Sequence, residues 1–189
     1  MSEHLAPTPG QTVGPFFHDA LPYAGGADLV SVAFPGAMRL QGRVLDGAGD
    51  GIPDALLEIW QPDVDGHVQG GTGSFARDPH GFTGWGRAAT DRTGGYRFTT
   101  VNPGPTDEGA APFIAVVLLA RGLLNRLFTR IYLPEDTTAL AADRLLRSLP
   151  EDRRRTLVGK REPDGGLRLD LRLQGPDETV FLAFPEHTR

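Results

Sequence analysis

The chain of 189 residues carries 19 Lys and Arg against 24 Asp and Glu, a formal net charge of −5, which weighs against a nucleic-acid binder, whose domains present a basic face. It contains no cysteine, so disulfides and thiolate catalysis are excluded. No apolar run approaches the roughly 20 residues that span a bilayer and nothing at Met1 reads as a signal peptide, so the expectation is one cytoplasmic domain with no membrane partner and a core of its own.

In chain order, the run Thr8–Phe17 is uncharged and carries two adjacent aromatic rings. Pro9 and Pro15 fix φ and remove donors, while Gly10 and Gly14 allow turns or close backbone approach. Such a segment is suited to lie against a surface: its own core, a partner or a ligand. Residues 1–35 show no sustained period and read as an N-terminal arm with turns at Pro22 and Gly25–Gly26, and residues 36–189 read as the globular domain. Alternation predicts a strand over Arg39–Leu45, Asp46-Gly47 and Asp50-Gly51 mark the turn after it, and Ala55–Gln61 reads as a second strand. A Gly-rich loop follows over roughly 66–83. Gly86–Thr90 and Tyr96–Val101 flank a tight turn at Asp91–Gly95, and Ile114–Leu119 and Leu127–Leu133 are further strands. Thr137–Leu149 places Leu140, Leu145, Leu146 and Leu149 on one side and predicts the single helix, with Pro150 ending it. Leu167–Leu173 alternates strictly, and Thr179–Phe184 closes the chain as an apolar strand. Many short strands, long loops and one helix predict an all-β, antiparallel β-sandwich with an extended N-terminal arm.

Few groups offer chemistry. The five histidines, at 4, 18, 67, 80 and 187, are scattered, and the three tyrosines are at 23, 96 and 132. No histidine pair has strand spacing, so His18 and His80 read as hydrogen-bonded loop residues rather than metal ligands. Glu58 and Asp63 make no convincing acid–base pair, and Trp60 and Trp85 read as core or interface packing. Gly70-Gly71-x-Gly73 lacks the strand-to-helix context of a phosphate loop. The cluster Arg153–Arg155 with Lys160 and Arg161 reads as a solvated helix face or a subunit contact.

Several segments carry a resemblance. Thr8-Pro9-x-Gln11-Thr12-x-Gly14-Pro15 is similar to the N-terminus of the intradiol ring-cleaving dioxygenases. The resemblance continues in order through Leu56–Asp63, Gly84–Asp91, Thr100–Pro105, Ala120-Arg121-Gly122, Thr129–Tyr132, Leu157–Arg161 and Glu178–Phe181. That family holds a non-haem ferric ion with two tyrosines and two histidines, hard anionic phenolates suiting Fe(III) and imidazoles completing the site. Here the residue after the Pro-Gly turn is Thr106 rather than tyrosine. The two histidine positions of the central strand fall on Phe113 and Ala115, and the remaining tyrosine position falls near Ser74. The resemblance therefore implies a chain without iron, of the kind that the family's two-chain enzymes pair with an iron-bearing beta subunit. In such a complex Fe(III) is held by the beta subunit and not by this chain, in a symmetric oligomer of alpha–beta pairs. Protocatechuate and O2 meet at the shared pocket, giving 3-carboxy-cis,cis-muconate.

By the same resemblance, Thr12, Gly14, Pro15 and Phe16 line the partner's substrate pocket, and Arg130 reaches that cavity from its strand. Related chains often carry tyrosine at the place of Phe16 and histidine at the place of Phe113. The alternative functions are a standalone β-sandwich binding module, or a catechol or hydroxyquinol dioxygenase, against which the absent ligands count directly.

Overall fold

The computed structural model describes residue 14, residues 17–69, residue 78 and residues 80–184. Thr12, Pro15, Phe16 and Ser74 lie outside the described residues. Two sheets face each other. In one, β1 (Ala37–Leu45) pairs antiparallel with β4 (Gly95–Val101) and, on its other side, with the short β8 (Leu167–Arg168) and β9 (Leu171–Arg172); β8 continues to β7 (Lys160–Arg161). The other sheet has the order β3-β2-β5-β6, built from Trp85–Ala89, Leu56–Trp60, Phe113–Leu119 and Leu127–Tyr132, all antiparallel.

Alternation explains the sandwich. Met38, Leu40 and Val44 on β1 and Tyr96 and Phe98 on β4 turn inward, against Leu57 and Ile59 of β2, Ile114, Val116 and Leu118 of β5 and Ile131 of β6. Each such side chain contributes about 1.5–3 kcal/mol of burial. The segment before β1 joins this core, because Leu29 and Val30 are buried and donate backbone hydrogen bonds to the Thr99 carbonyl.

Four expectations require correction. The sandwich is not wholly antiparallel, since β8 and β9 both run parallel to β1. The predicted strand 167–173 keeps its leucines in the core but is interrupted, because the Asp170 carboxylate accepts the Arg43 N–H (2.9 Å) in place of a backbone carbonyl. Residues 179–184 form no strand. They are tied to β6 by isolated bonds, from Thr129 Oγ1 to the Val180 carbonyl and from the Leu182 N–H to the Phe128 carbonyl.

The single helix is replaced by short ones: α1 (Phe17–Ala20), α2 (Thr137–Ala142), α3 (Arg144–Ser148) and α4 (Glu151–Arg154). The break falls at Asp143, whose backbone is extended (φ −58°, ψ 131°) and whose carboxylate accepts the Leu146 N–H as the N-cap of α3. Aspartate satisfies an otherwise unpaired donor there. The leucine pattern conceals the break, because Leu140, Leu145, Leu146 and Leu149 from both fragments pack into one second cluster with Tyr132, Leu157 and Val180. Pro150 ends one helix and N-caps the next, α4.

Candidate functional site

The chemistry-bearing positions converge on the outer face of the four-stranded sheet. Register aligns Trp85 with Trp60, Trp60 with Ala115, and Ala115 with Arg130, one row across all four strands. Phe113 lies two residues before Ala115, hence on the same face, and is paired with Tyr132 on β6. Side chains paired in this way stand within contact distance. The guanidinium of Arg130 sits 4.0 Å over the Phe113 ring, and the rings of Phe113 and Tyr132 are 5.6 Å apart at 50°.

Phe113 also lines a cavity of about 150 Å³ together with Trp60, Pro62, Val68, Gln69, Gly84 and Thr106. Two loops meet there. The Gly104 N–H donates to the Asp63 carbonyl (2.7 Å), which brings the 103–106 turn against the 63–68 loop. Beneath them Gln61 is buried, donating to the Val101 carbonyl (2.9 Å) and accepting from Thr100 Oγ1 (2.7 Å). Thr106, Phe113 and Ala115 are therefore gathered at one end of the sheet, and Arg130 stands beside them. Gly14 adopts φ +78°, a left-handed backbone that suits glycine.

These residues do not fit a ferric ion. Among the described ones, the cavity and its border present an indole, a phenyl ring, a valine, a proline, an alanine methyl, glutamine amides and an exposed threonine hydroxyl. None supplies the phenolate or imidazole that Fe(III) requires. Tyr132, the phenol paired with Phe113, is fully buried and engaged. It accepts from Arg130 Nη1 (3.0 Å) and donates to Asp143 Oδ1 (3.1 Å). Burial pushes its pKa up to about 12, with the Arg130 contact opposing and the Asp143 charge adding, so it stays a neutral phenol.

Val68, Trp60 and Gln69 were not singled out as lining residues from sequence. The 66–83 loop lacks periodicity, and only the contact between the two loops places Val68 beside Thr106. Trp60 is not core, being 46 % exposed, and its ring lies 5.9 Å from that of Trp85. Elsewhere, Glu58 holds Arg87 (2.5 and 2.9 Å), and Asp63 closes a turn by accepting the N–H groups of Asp65 and His67. Those backbone bonds, His67's first, hold the Asp63 carboxyl below its usual range. Asp63, Asp65 and His67 lie within 4.8 Å of one another, but the turn accounts for that grouping. Two members of the basic cluster are ion-paired within the chain, Arg155 with Asp177 and Arg161 with Glu135, and Arg154 donates to the Leu149 carbonyl. Among the described residues no helix is long and apolar enough to cross a membrane.

Comparison with known proteins places this geometry in context. A family model described as Dioxygenase matches residues 28–120. The chain is 42% identical to a protocatechuate 3,4-dioxygenase alpha chain of Burkholderia cepacia, over 94% of this chain and 97% of that one. It is 37% identical to the alpha chain of Pseudomonas putida, over 96% and 98%. A beta chain of Burkholderia cepacia matches at 31%, over 95% of this chain and 81% of the relative. Among solved structures, a dioxygenase domain from Streptomyces sp. SirexAA-E is similar with a TM-score of 0.59 at 26% identity, over 90% of this chain and 99% of that one. Catechol 1,2-dioxygenase from Pseudomonas arvilla C-1 shares the fold, with a TM-score of 0.55 at 22% identity over 86% of this chain and 58% of that one.

Proposed function

The chain belongs to the protocatechuate 3,4-dioxygenase family of intradiol ring-cleaving dioxygenases, as a homologue of its alpha chains, and we propose that it is the iron-free subunit of a complex with a protocatechuate 3,4-dioxygenase beta subunit. In that complex the beta subunit holds Fe(III), and the alpha–beta pairs assemble into a symmetric cytoplasmic oligomer. The reaction opens protocatechuate with O2 to 3-carboxy-cis,cis-muconate. This chain contributes scaffold, subunit interface and part of the substrate pocket.

The observation that supports this reading is that Thr106 and Phe113 line one cavity, with Ala115 on the same strand face, and that none of the three supplies a phenolate or an imidazole. Two further observations support it. Trp60 is a large, half-exposed aromatic on the same face, the kind of anchor that subunit interfaces use. Arg130 stands there without a carboxylate partner among the described residues, so its charge is available to an anionic substrate. The 1–35 arm, with Thr12, Gly14, Pro15 and Phe16, is assigned to the partner's pocket wall on the resemblance of its sequence. Co-expression with a beta chain and size-exclusion chromatography test the assembly. Co-elution in equal proportion supports the reading, and separate elution of two folded proteins contradicts it.

A further inference from the structure

Arg130 is held through its neighbours. Arginine carries a flexible stem whose rotamer freedom opposes any fixed pose. Here the guanidinium lies on the face of Phe113 at 4.0 Å, and Nη1 donates to the Tyr132 hydroxyl at 3.0 Å. That hydroxyl donates onward to Asp143 Oδ1 at 3.1 Å. Asp143 is itself fixed, because the same oxygen accepts the Leu146 N–H at 2.9 Å at the start of α3. The interruption of the helix thus serves a second purpose: it turns a capping carboxylate toward the phenol of β6.

The order of groups matters chemically. A carboxylate placed directly on Arg130 would neutralise it and compete with a substrate carboxylate. With a neutral phenol between them, Asp143 orients the guanidinium through Tyr132 and leaves its remaining N–H donors uncommitted among the described residues. We propose that Tyr132 and Asp143 are positioning residues that hold Arg130 in the pose in which it receives the carboxylate of the aromatic acid. This rests on the assignment of Arg130 to the shared pocket.

The test uses the assembled alpha–beta complex, with steady-state oxygen uptake and the anaerobic Kd for protocatechuate. Tyr132→Phe keeps the ring and removes the hydroxyl. It is expected to raise both KM and Kd by about two- to tenfold, the range of one neutral hydrogen bond, with kcat within about twofold. Asp143→Ala is expected to do the same, and Asp143→Asn, which keeps an acceptor and a competent cap, to return KM to near wild type. In the Arg130→Met background, Tyr132→Phe should have no further effect, because the hydroxyl acts only through Arg130. An additive effect in that background, or an unchanged KM for Tyr132→Phe while Arg130→Met raises it, overturns the positioning role alone. An unchanged KM for Arg130→Met removes the underlying assignment instead.

Discussion

The guanidinium of Arg130 rests 4.0 Å above the ring of Phe113, so this outward-facing aromatic of the central strand serves as a platform for a cation. Such a contact is worth about 0.5–2 kcal/mol depending on desolvation. Phe113 and Tyr132 together form a packed aromatic surface that supports this positive charge.

Replacing Arg130 by Met in the alpha–beta complex removes that charge and retains bulk. A charged hydrogen bond contributes about 1.5–3 kcal/mol, so KM for protocatechuate should rise roughly tenfold or more. The change should fall on KM rather than kcat, as expected for an interaction made equally in the ground and transition states. Oxygen-electrode kinetics check it, with size-exclusion chromatography to confirm that the variant assembles.

The turn between β3 and β4 makes a separate demand on the chain. Gly94 has φ +78°, and a Cβ there would lie 2.5 Å from the Val44 carbonyl oxygen and 2.8 Å from Gly51 Cα. Gly94→Ala combines the left-handed cost of about 1–2 kcal/mol with a backbone collision, and should lower stability in urea by about 2 kcal/mol or more. Gly165 has φ +82° but open space around its Cα. Gly165→Ala should therefore lose only the conformational cost, about 1 kcal/mol. Equal losses would show that the close approach to β1 is unimportant.

Alkaline titration reads the buried phenols. Burial raises the Tyr132 pKa to about 12 and drives that of Tyr96 higher still, its hydroxyl donating to the Leu169 carbonyl at 2.6 Å. The folded state thus favours the neutral phenols. Their contribution to stability is complete below the ordinary tyrosine value of about 10. It is lost as pH rises through the folded values, because the unfolded chain ionises first. With three tyrosines in the chain, absorbance at alkaline pH should register no more than one phenolate before unfolding begins. Two or more phenolates in a folded chain would contradict the buried network.

The six longer strands were legible because they are short apolar or alternating runs bounded by Gly, Pro and Asp turns. Thr106, Phe113 and Ala115 were singled out through the family resemblance, and the structure sets Thr106 and Phe113 on one cavity with Ala115 on the same face. Helix continuity was not, since a capped break at Asp143 leaves the spacing of Leu140, Leu145 and Leu149 intact. Nor were the last strands: Leu167, Leu169 and Leu171 announce a buried face but say nothing of Asp170 replacing a ladder acceptor, or of parallel pairing with β1. The Tyr132–Asp143 contact joins residues 11 apart across a loop and a helix break, a relation that no periodicity encodes. Val68 stands in a loop of no period, and its place beside Thr106 depends on the Gly104–Asp63 hydrogen bond.

The central claim is that this chain shapes a site whose iron belongs to its partner. The most direct measurement is iron content and protocatechuate-dependent oxygen uptake, for the purified chain alone and for the complex formed with a beta chain. The account predicts no stoichiometric iron and no turnover for the chain alone, and both in the complex. Iron-dependent cleavage of protocatechuate by this chain alone would contradict it.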